Sequence, residues 1–199
     1  MSDSPVDQGR RNWVAMTAGA GAIGGGLTAV PFVSTFMPSE RAKAAGAAVE
    51  ADISALKPGE KMTVEWRGKP VWIVRRTKEQ LDSLAKTAPL VADPKSLRNP
   101  AELTPVYARN DSRAIKPEYF VAVGICSHLG CSPSDKLQAG AAGAMPEDWQ
   151  GGFLCPCHGS TFDLAGRVYK NKPAPDNLEV PPHMYLSDTV LLIGEDKKA

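Results

Sequence analysis

The sequence predicts a mostly β domain carried behind a single N-terminal membrane-spanning helix and a flexible tether. Three features predict it. Residues 13–37 form a run of 25 without a charge. The part after position 50 reads as short β-branched and aromatic runs broken by turn residues. All four cysteines and two of the three histidines fall in two short clusters, 126–131 and 155–160. With 23 basic against 22 acidic residues the chain lacks the basic excess of a nucleic-acid binder, so no nucleic-acid partner is expected. Hydrophobic residues at 43% and charged ones at 23% exclude both a disordered chain and a multi-span membrane protein.

Residues 1–12 are polar and end in Arg10-Arg11-Asn12. As a helix, the 25 uncharged residues that follow span roughly 37 Å at ~1.5 Å per residue, enough to cross a ~30 Å hydrocarbon layer with some tilt. The competing reading is a cleaved signal peptide, with Ala42-Lys43-Ala44 as a small-residue site. The apolar run of such a peptide is about 7–15 residues, so length favours a retained anchor. Arg10-Arg11-Asn12-Trp13-Val14 resembles a twin-arginine export signal, used by proteins that fold before crossing the membrane.

Residues 38–50 read as a hinge. Thirteen residues reach about 45 Å extended and about 20 Å as a helix, so interconversion would move whatever follows. Within 51–199, Met62–Trp66 and Pro70–Arg76 flank Arg67-Gly68-Lys69 as a hairpin. Thr77-Lys78-Glu79-Gln80 is a capping-box pattern that opens a short helix to about Lys86. Residues 88–117 contain five prolines and little periodicity, which predicts a long loop with one short helix at most. Tyr119–Ile125 reads as a buried strand leading into the first cluster. Met184–Leu186 and Thr189–Ile193 make a closing hairpin around Ser187-Asp188.

Cys126-Ser127-His128-Leu129-Gly130-Cys131 and Cys155-Pro156-Cys157-His158-Gly159-Ser160 offer six soft or borderline donors. One metal takes four. A structural zinc site normally uses Cys-x₂₋₄-Cys and His-x₃₋₅-His elements, and Cys-x-His fits that poorly. Two disulfides would leave the matched histidines without a purpose. A [2Fe–2S] centre with two thiolates on one iron and two imidazoles on the other uses four donors and leaves two cysteines over.

Cys-x-His-Leu-Gly-Cys together with Cys-Pro-Cys-His-Gly-Ser resembles the Rieske iron–sulfur proteins of ubiquinol–cytochrome c reductases, and the likeness runs through anchor, hinge and β domain. Pro173-Ala174-Pro175-Asp176-Asn177-Leu178 resembles the proline loop of that family. The resemblance implies an antiparallel β-sandwich with a small cluster-binding subdomain at about 125–165. It implies one [2Fe–2S] cluster held by Cys126 and Cys155 on one iron and His128 and His158 on the other, with Cys131 and Cys157 joined as a disulfide. Such a bond belongs to an oxidising compartment, which sets the domain in the periplasm and the N-terminus in the cytoplasm of a bacterial inner membrane.

By the same resemblance the chain works only inside a complex, in contact with cytochrome b, a c-type cytochrome and membrane lipid, and that complex is dimeric. It takes an electron and a proton from ubiquinol, with His158 as the contact, and passes the electron on by domain movement, contributing to proton translocation. Charge counting suits this role. Two ferric ions, two sulfides and two thiolates sum to zero, so an electron adds more readily than to a four-thiolate cluster, and the potential rises by roughly several hundred millivolts. Ser160 matches the serine that donates to a cluster sulfide. Phe162 stands where many relatives have a tyrosine donor, which implies a lower potential. Leu129 matches the leucine that covers the cluster and meets the quinone pocket.

Overall fold

The computed structural model describes residues 7–40, 42, 46–98, 103–140 and 145–196, and the chain divides into two units, 1–44 and 45–199. In the first unit, helix α1 runs from Gln8 to Ser34, with Asp7 as its N-cap accepting from the Gly9 and Arg10 amides at 2.9 and 3.2 Å. It starts five residues ahead of the expected span and takes in Arg10 and Arg11, because the cap sits at Asp7. No α1 side chain is buried, and the hydroxyls of Thr17 and Thr28 return to carbonyls one turn back at 3.0 and 2.8 Å. A helix that hides its own hydroxyls and exposes Trp13, Ile23, Leu27, Val30 and Phe32 is suited to an apolar solvent. It is long and apolar enough to cross a membrane. Pro31 lies inside the last turn, and the helix ends three residues later.

Among the described residues the second unit contains three antiparallel three-stranded sheets. Strands β1 (Val49–Asp52), β9 (Val190–Ile193) and β8 (His183–Tyr185) form one. Strands β2 (Lys61–Trp66), β3 (Lys69–Arg75) and β4 (Tyr119–Val123) form the second. The third joins β5 (Ser134–Lys136), β6 (Gly152–Leu154) and β7 (Thr161–Asp163). The expected hinge is shortened at its far end. Val49 and Glu50 are strand, pairing with Ile193 and Leu192, because their backbone completes the edge of the C-terminal hairpin. Residues 41 and 43–45 of that hinge lie outside the described residues.

Strands β3 and β4 of the middle sheet are buried on both faces, and the period of two shows it. Val71 and Ile73 of β3, with Tyr119, Val121 and Val123 of β4, face Ala51, Leu191 and Ile193 of the first sheet. The intervening Trp72, Val74, Phe120 and Ala122 face Phe153, Phe162, Cys126 and Cys155. This is why β4 is an unbroken apolar run rather than an alternating one: each side chain has a core to enter. The hairpin between β2 and β3 is tighter than expected. Arg67 and Gly68, at φ 52° and 70°, make a two-residue turn that pairs Trp66 with Lys69.

Helix α2 (Lys78–Thr87) opens on a complete capping box: Gln80 N–H donates to Thr77 Oγ1 at 3.2 Å, and Thr77 N–H donates to Gln80 Oε1 at 2.9 Å. One 3₁₀ turn at Val106–Ala108 interrupts the proline-rich stretch. The third sheet was not expected. Its three strands have three residues each, too short for an alternation to register.

Candidate metal centre

Two of the buried strands deliver the two cysteine–histidine loops. Strand β4 leads into Cys126, β6 leads into Cys155, and β7 begins directly after Ser160. The loops share one backbone pattern. In the first, Gly130 N–H donates to Cys126 O at 3.1 Å and Cys126 N–H to Cys131 O at 2.8 Å. In the second, Gly159 N–H donates to Cys155 O at 3.0 Å and Cys155 N–H to Ser160 O at 2.8 Å. Gly130 and Gly159 occupy the same place in each, at φ 81° and 73°, where a side chain would be strained although there is room for one. The glycines therefore serve the turn and not the packing.

The loops open on the same donor and then diverge: the histidine is third in the first loop and fourth in the second, whose third place is Cys157. Cys126 and Cys155 open the loops and are both buried at 2% exposure. His128 and His158 project from the tips, their rings 4.8 Å apart and nearly perpendicular, with His158 exposed. Cys131 and Cys157 are joined as a disulfide that ties the two loops across 26 residues. Their sulfurs and Cys155 Sγ lie within 4.8 Å of one another, but the bonded pair is withdrawn from metal binding. Four donors remain, two thiols inside and two imidazoles outside. Burial pushes the Cys126 thiol up, while the His128 amide and the Ser160 hydroxyl pull it down. A buried thiol of that kind becomes a thiolate when a metal cation replaces its proton. The donor set fits a [2Fe–2S] centre with mixed sulfur and nitrogen coordination.

The proline loop is fastened to both metal loops by serines. Ser160, 1% exposed, accepts from Ala174 N–H at 3.0 Å. Ser127 donates to Asp176 O at 2.7 Å and accepts from Asp176 N–H at 3.3 Å. Pro173 and Pro175 are exposed, and the buried residue between them is Ala174. Asn177 holds the rear of the loop, accepting from Val168 N–H and donating to Asp93 O, both at 2.9 Å. Sequence reasoning missed Ser127. Its place between Cys126 and His128 was the available signal. Leu129 is 70% exposed beside the histidines, an uncovered apolar side chain at the tip of the domain. Phe162 is fully buried, paired with Phe153 across the strands and in the same core as Cys126 and Cys155.

Behind this core sits a polar group that sequence reasoning also missed. Arg167 pairs with Asp163, Nη2 to Oδ2 at 2.7 Å and Nε to Oδ2 at 2.8 Å, and both side chains are buried. Arg76 and Arg113, equally buried, donate to backbone carbonyls of the loop after β7: Leu164 O at 3.1 Å and Ala165 O at 2.9 Å respectively. In a list of residues these arginines look like surface charges. His183, the histidine outside the motifs, is buried, and its Nδ1 lies 2.8 Å from Pro181 O, a structural contact.

A family model described as the Rieske [2Fe-2S] domain matches residues 90–182. The chain is 55% identical over 188 residues to an Allochromatium vinosum protein named ubiquinol-cytochrome c reductase iron-sulfur subunit, covering 94% of this chain and 89% of the other. It is 38% identical to the protein of that name from Bradyrhizobium diazoefficiens, covering 93% and 94%. It is 39% identical to the one from Rhodospirillum rubrum, covering 89% and 87%.

Proposed function

Because the chain belongs to the Rieske iron–sulfur subunits of ubiquinol–cytochrome c reductase, with their single [2Fe–2S] cluster, we propose that it takes an electron and a proton from ubiquinol and hands the electron to a membrane-bound c-type cytochrome. Cys126, Cys155, His128 and His158 hold the cluster. When bound, the cluster supplies a one-electron acceptor that is near neutral before reduction. One observation carries the reading: the disulfide removes two of six donors and leaves two buried thiols behind two outward imidazoles.

The rest follows from side-chain placement. His158 is exposed, so the ring nitrogen not used for iron can accept the quinol hydroxyl's hydrogen bond and then its proton. Leu129, bare beside it, lines the contact and keeps water from it. The disulfide and the two serine contacts hold the imidazoles in place, so little is reorganised as the proton moves. Ser160 orients its hydroxyl toward the cysteine sulfur, while Phe162 offers no such donor. Helix α1 is the single membrane anchor, with Arg10 and Arg11 on the cytoplasmic side and the β domain in the periplasm. The disulfide and the twin-arginine pattern support that orientation. The tether, residues 38–48, allows the domain to move between quinol and cytochrome in a dimeric complex that contributes to proton translocation.

Two measurements test this. Iron and sulfide analysis with an EPR spectrum of the reduced chain is expected to show two irons with mixed nitrogen and sulfur coordination; one colourless divalent ion would refute it. Prolines placed in the tether are expected to slow quinol oxidation and leave the spectrum unchanged. Normal turnover with a rigid tether would remove the moving step.

A further inference from the structure

Among the described residues, four charged side chains are essentially shut off from water: Arg76, Arg113 and Arg167 at 0–1% exposure, and Asp163 at 0%. Only Arg167 is in ion-pair contact with a carboxylate, Asp163, whose charge also acts at longer range on Arg76 and Arg113. The other two guanidiniums are held by neutral acceptors. Arg76 donates to Pro117 O, Ser112 O and Leu164 O. Arg113 donates to Ser96 Oγ at 2.7 Å, Thr104 Oγ1 at 2.8 Å, Leu178 O at 2.8 Å, Ala165 O at 2.9 Å and Gly166 O at 3.3 Å. Asp93 faces Arg113 from a half-buried site, with its carboxylate engaged by the amides of Leu97 and Arg98. The buried group therefore carries two positive charges in excess. Burial brings Arg76 down to about 9 and Arg113 to about 10, so both stay protonated at neutral pH.

Burying unpaired cations is costly, and apolar side chains of like volume would be cheaper. Their position suggests what the cost supports. The Arg76 guanidinium lies over the Phe120 ring, 5.4 Å from its centroid. Arg113 holds the Leu178 carbonyl, and Asp163 follows Phe162 in β7. Phe120, Phe162 and Leu178 belong to the same core as Cys126 and Cys155. Phe120, under Arg76, and Leu178, held by Arg113, thus share a core with the two buried metal-loop cysteines, and a buried medium screens weakly.

We propose that the excess charge of Arg76 and Arg113 raises the reduction potential of the cluster, which gains a negative charge when it accepts an electron. The arginines are positioning and tuning residues that touch neither quinol nor metal. The inference rests on the cluster assignment above, and the test separates the two. A wild-type chain without a Rieske-type EPR signal would fail the assignment itself; a normal signal with unresponsive potential would fail only the tuning.

The test is redox titration of the cluster, followed by EPR, in the intact complex carrying Arg113→Gln, Arg113→Lys, Arg76→Gln or Ser96→Asp. Ser96→Asp places a carboxylate within reach of Arg113 Nε and Asn177 Nδ2, which already donate to Ser96 Oγ at 2.7 and 3.1 Å. Position 96 is at φ 53°, a conformation that Asp tolerates. Both Gln variants and Ser96→Asp are expected to lower the equilibrium constant for reduction threefold or more, about 28 mV at ~59 mV per tenfold for one electron. Arg113→Lys, which gives up hydrogen bonds but keeps the charge, is expected to stay near wild type. The shifts are expected to persist at high salt. If Lys shifts the potential as far as Gln does, the arginine braces the loop and its charge is irrelevant. If Ser96→Asp keeps both the spectrum and the potential, the proposal is overturned, and this variant decides even where a Gln variant fails to retain its cluster.

Discussion

Replacing Asp163 with Asn removes one charge from the only closed ion pair in the interior among the described residues, and its cost can be worked from the contacts. Asp163 Oδ1 accepts from the amides of Ala165 and Arg167 at 3.0 and 2.9 Å, which an Asn oxygen would preserve. Oδ2 accepts from Thr87 Oγ1 at 2.9 Å and from Arg167 at 2.7 and 2.8 Å. There the amide would present N–H groups to a guanidinium. Thr87 can reverse its hydroxyl, but Arg167 cannot. Removing one partner of a buried pair costs about 3–5 kcal/mol. Arg167 keeps Leu84 O at 2.8 Å and Thr87 Oγ1 at 3.1 Å, so the lower end, about 3 kcal/mol, is the expected value. For a domain of this size, about 2–4 °C per kcal/mol gives a fall in Tm of about 6–12 °C. Thermal unfolding of the full chain in detergent, followed by circular dichroism at a fixed scan rate, measures it. A fall below ~2 °C would show that the ion pair contributes little and that carbonyl contacts alone hold the arginines.

Three further outcomes are expected. Replacing Cys131 and Cys157 together with Ser removes a link across 26 residues, worth about 3.5 kcal/mol in the chain-entropy model, and should lower the denaturant midpoint and hasten cluster loss; an unchanged midpoint would mean that packing alone clamps the loops. Phe162→Tyr adds a donor in the core beside the cysteines and should raise the midpoint potential in a redox titration, and an unmoved potential would remove Phe162 from the tuning residues. Burial holds the His183 pKa below the ordinary histidine value. The unfolded chain therefore binds its proton first, and stability contributed by the neutral ring declines as pH falls through about 6.5. His183→Gln should flatten the pH dependence of Tm between about pH 5 and 7 relative to wild type, and parallel curves would contradict this.

Much of the candidate site was legible in the chain because its parts are local. The two ligand loops are six residues long, and their opening Cys and their Gly follow from one turn geometry repeated twice. The capping box at Thr77–Gln80 and the turn at Arg67-Gly68 are local too, set by hydrogen bonds and backbone angles within four residues. The anchor could be read because a hydrocarbon layer demands length and lack of charge and little else.

The rest had no local signature. Strands β5 to β7 are three residues each and exist because they pair with one another. The start of β1 inside the expected hinge depends on β9, more than a hundred residues away along the chain. Ser127 acquires its role from Asp176, 49 residues on, and Arg113 its burial from Ala165 and Leu178, at separations of 52 and 65. Residue type and spacing alone marked six candidate metal donors, since that is a matter of side-chain chemistry. The Cys131–Cys157 pairing implied by the resemblance is present in the folded chain, but only that fold decided which serines hold the proline loop and where excess buried positive charge lies, since each depends on residues remote in sequence.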